Sequence, residues 1–332
     1  MHFYKLRRFG STFLKIVISY MKAIFGFFIF CLVLFLYLHI QFHLKTSDDL
    51  EMYEFDSESK DKFEEICNLR QPVLFSFDSE KIVKSTSLDY LASNYGSFEF
   101  KVRNAKDQDY SSEIYMPLPV NGAIKLFSDD SESRYFSEKN NDFLQETASV
   151  KNLQYNDEYL RPYMVSNCNY DIMSGSTGTE TPFRYELNYR NYFLVTQGSV
   201  QVKLAPPKSS RYLHPVNDYE NFEFRSPVNP WTPQAQYTAD FDKMKCLEFT
   251  LNTGKTLYVP AYWWYSIKFN KNSSISCFKY KTYMNTLAIL PQIAMYGLQM
   301  QNVKRESVKK ASLEELKTET AGTNIDEKNV NE

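Results

Sequence analysis

From Ala23 to Leu44 the chain carries no Asp, Glu, Lys or Arg, and Ala23 to Leu38 is almost wholly apolar. Roughly 20 such residues, coiled as a helix, cross the ~30 Å of hydrocarbon in a bilayer. Within lipid only a helix or a closed barrel pairs every backbone N–H and C=O. The segment therefore predicts a transmembrane helix over 23–44. Lys5, Arg7, Arg8, Lys15 and Lys22 precede it with no acid among them, and Asp48, Asp49, Glu51, Glu54 and Asp56 follow. That bias puts residues 1–22 in the cytoplasm as a basic tail and the remainder across the membrane, lumenal or external. A cleaved signal peptide has the same outline. Against it stand the length of the apolar run and the lack of a small-residue cleavage site after it.

The remaining length suits one large domain with appendages. Of the 332 residues, 43% are hydrophobic and 16% aromatic, enough for a sizeable core. A net charge near −2, with no basic stripe between aromatics, gives no argument for nucleic acid as a partner. Plentiful Lys, Asn, Tyr and Phe fit AT-rich coding, and a viral membrane or endomembrane component is a setting such a composition allows. Cys67, Cys168, Cys246 and Cys277 form an even set. In an oxidising compartment they permit disulfides, with no pairing readable from spacing, and four free thiols are the alternative. Asn272-Ser273-Ser274 is a glycosylation sequon.

Along the chain, 45–70 is charged and reads as a stalk. Gln71 to Phe77 reads as a strand, Ser87 to Asn94 as a helix capped by Ser87, and Phe98 to Val102 as a strand by its alternation. Asp129 to Gln145, acidic and rich in Ser and Asn, reads as a loop or surface helix. Strands then crowd together at Thr181–Leu187, Tyr192–Thr196, Ser199–Ala205, Cys246–Leu251, Lys255–Val259, Trp264–Phe269 and Ser274–Tyr280, with turns at Gly178, Gly198 and Gly254. Such spacing suggests a sandwich or barrel. Pro206 to Asp242 is a long insertion at its rim. Helical spacing returns over 284–317, where Pro291 breaks or kinks it, and these helices offer a place for a second copy of the chain to pair. The last stretch, 318–332, reads as disordered.

Two stretches carry a family resemblance. Thr181-Pro182-Phe183-Arg184-Tyr185-Glu186 and Tyr258-Val259-Pro260-Ala261-Tyr262-Trp263-Trp264-Tyr265 resemble the metal-binding strands of JmjC and cupin-like domains, most closely the asparaginyl-hydroxylase branch. There the patterns are T-P-x-H-x-D and Y-I-P-x-x-W-W-H. Asn191 to Gly198, Leu204-Ala205-Pro206-Pro207 and Gly254-Lys255-Thr256-Leu257 extend the likeness, which runs from about Pro72 to Lys281 within a domain of 71–283. The resemblance implies a mainly β fold, a double-stranded β-helix or jelly-roll with flanking helices, and in the family an iron held by two His and an Asp at the open end.

Here the three ligand positions are Arg184, Glu186 and Tyr265. The four histidines are His2, His39, His43 and His214, and the first three lie in or beside the apolar segment. Two imidazoles and a carboxylate therefore cannot meet in one globular domain. The family's co-substrate site also fails: where it has a Lys to pair with 2-oxoglutarate, this chain has Val200, and Lys203 falls on the opposite strand face. Thr181, Asn191 and Val200 mark the remnant, and only Thr181 keeps the family's residue. The expectation is a domain without catalytic residues, metal or cofactor, in a binding or structural role. Arg184 and Glu186, two apart on a strand, are expected to pair as a plug in the barrel mouth, with the Tyr265 hydroxyl facing them. A pocket for a small anion or sugar is an alternative, and so is a membrane-bound Fe(II)/2-oxoglutarate hydroxylase with atypical ligands. Trp263-Trp264 reads as core packing before a sugar or membrane platform, His214 as a surface residue before a lone base. Ser174 to Thr179 reads as a turn, since it lacks the Lys of a phosphate loop.

Overall fold

The structure, a computed structural model, describes residues 2–56, 58–77, 80–106, 115–219 and 221–302. The end of the expected helical stretch, 303–317, and the tail 318–332 lie outside them. The strands are β1 (Tyr53–Phe55), β2 (Val73–Ser76), β3 (Glu99–Asn104), β4 (Met116–Pro119), β5 (Tyr135–Ser137), β6 (Val165–Gly175), β7 (Arg184–Tyr185), β8 (Arg190–Gln197), β9 (Ser199–Ala205), β10 (Val216–Asp218), β11 (Glu223–Arg225), β12 (Leu247–Asn252), β13 (Lys255–Pro260), β14 (Trp264–Phe269) and β15 (Ser274–Thr282). One sheet runs β1-β2-β13-β8-β15-β6-β5-β3-β4, the other β10-β11-β7-β14-β9-β12.

Alternation decides what lies between the sheets. From the larger sheet Phe193, Val195, Leu257, Val259 and Ile275 point inward, and Val200, Val202, Leu204, Ile267 and Phe269 meet them from the smaller one. The opposite face of the larger sheet is apolar as well, through Tyr192, Leu194, Phe278 and Tyr280, and Phe63, Ile82, Leu144 and Leu153 from short helices cover it. Strand β8 is therefore buried on both faces, and its middle, Tyr192–Val195, reads as an unbroken apolar run. The result is a mainly β jelly-roll with flanking helices.

Gly198 joins β8 to β9 at φ +67°, and a Cβ there would lie 2.8 Å from the Asn272 carbonyl oxygen. The turn needs glycine on both counts. The helix Leu88–Tyr95 starts at Ser87, whose side chain accepts from the Tyr90 N–H. Trp263 and Trp264 are core residues, their indole N–H groups donating to the Ser47 carbonyl and the Ser210 hydroxyl. His214 is on the surface, 3.0 Å from Asp240.

Three expectations need correction. Residues 45–70 are not a stalk. Leu50 and Met52 pack against the inter-sheet core, β1 pairs with β2, and the helix Lys60–Asn68 buries Phe63 and Cys67. Most of the charges that suggested a solvated tether are exposed or half-buried, while Glu64 and Arg70 are buried. The 11-residue strand β6 was not expected; its first half is polar and exposed, so its sequence lacks strand-like alternation. Asp129 to Gln145 is no mere surface acidic stretch, because Glu138 within it is buried.

The N-terminal helix runs His2–Leu44, and its part from Ile18 to Leu44 is long and apolar enough to cross a membrane. Its end is docked on the domain: the Arg70 guanidinium donates to the Phe42 and Lys45 carbonyls, and the buried His43 ring lies 5.2 Å from that of Tyr189. The helices Tyr283–Ala288 and Leu290–Asn302 follow β15, with Pro291 in the first turn of the second, where its missing N–H costs no helical bond.

Candidate functional site: the barrel mouth

Sheet register brings the ligand positions together. Arg184 on β7 pairs with Tyr265 on β14 on one side and with Arg225 on β11 on the other. Paired residues point to the same face, as do residues two apart, so Arg184, Tyr265, Arg225 and Glu223 all project one way.

Arg184 does not take Glu186 as its partner. Its Nη1 donates to Glu138 Oε1 at 3.1 Å and to Glu223 Oε1 at 3.0 Å, and its Nη2 donates to Glu138 Oε2. Arg103 from β3 joins them, 3.0 Å from Glu223 and 3.3 Å from Glu138. The Tyr115 hydroxyl adds a bond of 2.9 Å to Glu138. Three guanidinium groups thus face Glu138, Glu223 and, 3.9 Å from Arg225, Asp218. The side chains of Arg103, Arg184, Glu138 and Glu223 are each at most 6% exposed.

Glu186 lies nearer solvent with partners of its own. Lys279 reaches it from β15 in the opposite sheet at 2.7 Å, and the Tyr265 hydroxyl donates to it at 3.1 Å. The expected Arg184–Glu186 pair fails because β7 ends at Tyr185, and because Arg184 meets two carboxylates deeper in the barrel while Lys279 takes the one at the rim.

The electrostatics follow. Burial works against charge on Glu138 and Glu223, but Arg184 and Arg103 outweigh it and hold both below the ordinary carboxylate range. Burial likewise opposes charge on Arg184, and Glu138, Tyr265 and Glu223 raise its pKa well above the usual guanidinium value. At Glu186, Lys279 and then Arg184 overcome the effect of burial and lower its pKa. Burial keeps the Tyr265 hydroxyl protonated far above the usual phenol range.

These residues do not fit an iron. A guanidinium offers no lone pair to a metal. The oxygen of Glu186 nearest Tyr265 already carries Lys279, and Tyr265 spends its proton on the same oxygen. Among the described residues no group of three or more His, Cys, Asp and Glu is placed to hold a metal ion. The co-substrate remnants are likewise engaged within the fold. Thr181 Oγ1 accepts from the Ile267 N–H, Asn191 Nδ2 donates to the Val259 carbonyl, and Val200 lies in the apolar core. Lys203, on the far face of β9, pairs with Glu248.

Sequence reasoning found Arg184, Glu186 and Tyr265 but missed Glu138, Glu223, Arg103 and Lys279. Lys279 left a trace: it follows Ile275 and Cys277 on the inward face of β15, an odd place for a solvated cation. A polar cavity of about 410 Å³ opens beside the network, lined by Arg103, Lys106, Glu180, Arg225 and Asn229 among others. The cysteines are all free thiols, with Cys67 and Cys277 buried.

This architecture defines a cupin barrel, and the chain belongs to the cupin-like domain family, whose model matches residues 59–283. It is similar to the HSPB1-associated protein 1 of Rattus norvegicus, 30% identical over 95 residues, which make up 28% of this chain and 20% of that protein. The JmjC domain-containing protein D of Dictyostelium discoideum is 31% identical over 94 residues, 28% of this chain and 21% of that one. The chain thus spans about a fifth of the length of the curated relatives it matches.

Proposed function

We propose that the chain is a single-pass membrane protein whose cupin barrel has exchanged a metal centre for an ionic plug and now serves binding or structure, not oxidation. One observation carries this reading: Arg184 stands at the first ligand position and is committed to Glu138 and Glu223. A fixed cation takes the place of a divalent one, and the surrounding carboxylates neutralise it. The polar cavity beside Arg103 and Arg225 lies outside the plug and has room for a small ligand. The apolar N-terminal helix is the anchor, with its basic flank cytoplasmic and the barrel lumenal or external, and a virion membrane or an endomembrane is the setting proposed.

The test is iron. The full chain, purified in detergent and incubated anaerobically with Fe(II), is expected to retain far less than one iron per chain. One iron per chain that is lost in Glu186→Ala would overturn the plug and favour the atypical hydroxylase.

A further inference from the structure

From Tyr283 to Asn302 the chain has no Asp, Glu, Lys or Arg. This 20-residue stretch forms the two helices after β15, and only one side of them is covered. Ile289 is buried beside Leu187 and Phe224, Ile293 packs against the same cluster, and Tyr296 meets Phe222 edge-on at 5.9 Å. The other side is just as apolar and has no cover among the described residues: Tyr283 is 60% exposed, Leu290 54% and Leu298 56%. A surface helix in a water-soluble domain sets a charged or polar face against solvent. This one sets Leu, Met and Tyr there, relieved only by uncharged Gln and Asn.

The position of these helices says what covers them. Tyr283–Ala288 packs directly against the N-terminal apolar helix. The hydroxyl of Thr282, which caps it, lies 3.4 Å from His43 Nε2. The last charge before the apolar run is Lys22, and roughly 20 residues from Ala23 reach Phe42. The docking point at Phe42 and His43 thus falls where a spanning helix leaves the hydrocarbon. Other exposed apolar side chains gather at that level. Met164 is 73% exposed and its carbonyl accepts from the Tyr283 N–H; Leu69 is 53% exposed and borders a cleft with Leu38 and Phe42.

We propose that Tyr283–Asn302 is a second membrane contact. It lies in the interface of the same bilayer that the N-terminal helix spans, with Tyr283, Leu290 and Leu298 toward the acyl chains. Together with the docked anchor it fixes the barrel at one angle to the membrane. The occupant is lipid, because the uncovered face is apolar and continuous with the anchor, and a helix with such a face buries it at the headgroup–acyl boundary. This inference rests on the proposed membrane anchor.

The experiment uses the full chain in phosphatidylcholine vesicles, with and without lipid carrying a nitroxide high on its acyl chain. In a chain whose accessible cysteines Cys31, Cys168 and Cys246 are replaced by serine, a fluorophore is attached in turn to cysteine introduced by Leu298→Cys, Leu34→Cys and Lys271→Cys. Lys271 precedes β15, so about nine residues of strand, roughly 30 Å, separate it from the helices. Strong nitroxide quenching at positions 298 and 34, with little at 271, is the expected result. Quenching at 34 but not at 298, with the 298 probe open to aqueous iodide, would overturn the interfacial helix and leave the anchor standing. A 298 probe shielded from both quenchers would overturn it in favour of a second copy of the chain. Loss of quenching at 34 would instead remove the anchor itself.

Discussion

Arg184 and Glu138 meet end to end, Nη1 on Oε1 and Nη2 on Oε2, a parallel fork between β7 and the residue after β5. Their side chains are 6% and 3% exposed. Planar guanidinium and planar carboxylate match in this geometry and in few others. The fork ties the two-residue strand β7 of the smaller sheet to the end of β5 in the larger one. It closes the barrel mouth where the family places metal chemistry.

Removing one member strands a buried charge. Arg184→Met is expected to cost about 3–5 kcal/mol in unfolding free energy. With Glu138→Leu added, the double variant should cost clearly less than the sum of the singles. The Arg184–Glu186 cycle should show weaker coupling than the Arg184–Glu138 one, since those side chains attract each other without a hydrogen bond. Denaturant unfolding of the four variants of each cycle decides. Strong coupling to Glu186 with none to Glu138 would contradict the network described.

Acid should weaken the plug. A carboxyl whose pKa is lower in the folded chain than in the unfolded one contributes stability above the unfolded value and loses it as pH falls through the folded value. Glu138 and Glu223 are both depressed, and unfolded Glu titrates near about 4.3. Their contribution should be complete above about pH 5 and decline below the ordinary carboxylate range. Buried Asp171, whose pKa burial raises, works with the opposite sign. The comparison with Glu138→Gln isolates the plug: its stability should fall less steeply between pH 5 and 3. Equal slopes would mean that Glu138 is not held ionised.

The scaffold was legible because its signals are local. Alternation in Ser199–Ala205 and Trp264–Phe269 and the glycine at the Gly198 turn marked these elements to within a residue. The two stretches that hold Arg184 and Tyr265 were legible for the same reason, and the sheet pairs these residues. The partners that Arg184 takes were not. Glu138 is 46 residues from Arg184 in sequence, in a stretch whose acids otherwise face water. Glu223 is 39 residues away on a three-residue strand within an insertion that shows no period. Lys279 and Glu186 are 93 residues apart. Such pairs exist only once the sheets have closed. The supposed stalk failed for a similar reason: Phe63 and Cys67 sit one helical turn apart among charges, too few apolar residues to announce a packed helix.

The thiols should behave as isolated groups. Burial pushes Cys67 up to about 11, and buried Cys277 lies well above the usual thiol value, again chiefly through burial. Since the thiolate is the reactive form, iodoacetamide at pH 8 should leave both unmodified in the folded chain and label them only after unfolding. A disulfide-linked peptide containing either residue in a non-reducing digest would contradict this assignment.

The join between apolar helix and barrel should be stiff, and Arg70 is its bolt. At φ +56° Arg70 holds a left-handed backbone, its guanidinium capping the carbonyls of Phe42 and Lys45 and stacking 4.3 Å over the Phe42 ring. Thr46 donates to the Arg70 carbonyl, and the backbone of Ser47 accepts from Trp263. Tryptic cleavage after Lys45 needs several residues around it to unfold locally. The unaltered chain should therefore resist cutting there although Lys45 itself is exposed. Arg70→Ala releases the carbonyls and the ring stack together and should raise the cleavage rate about tenfold or more, as local opening becomes easier by about 1.4 kcal/mol. Rapid cleavage after Lys45 in the unaltered chain would mean that the helix hangs from a flexible tether, and the fixed angle between barrel and membrane would fail with it.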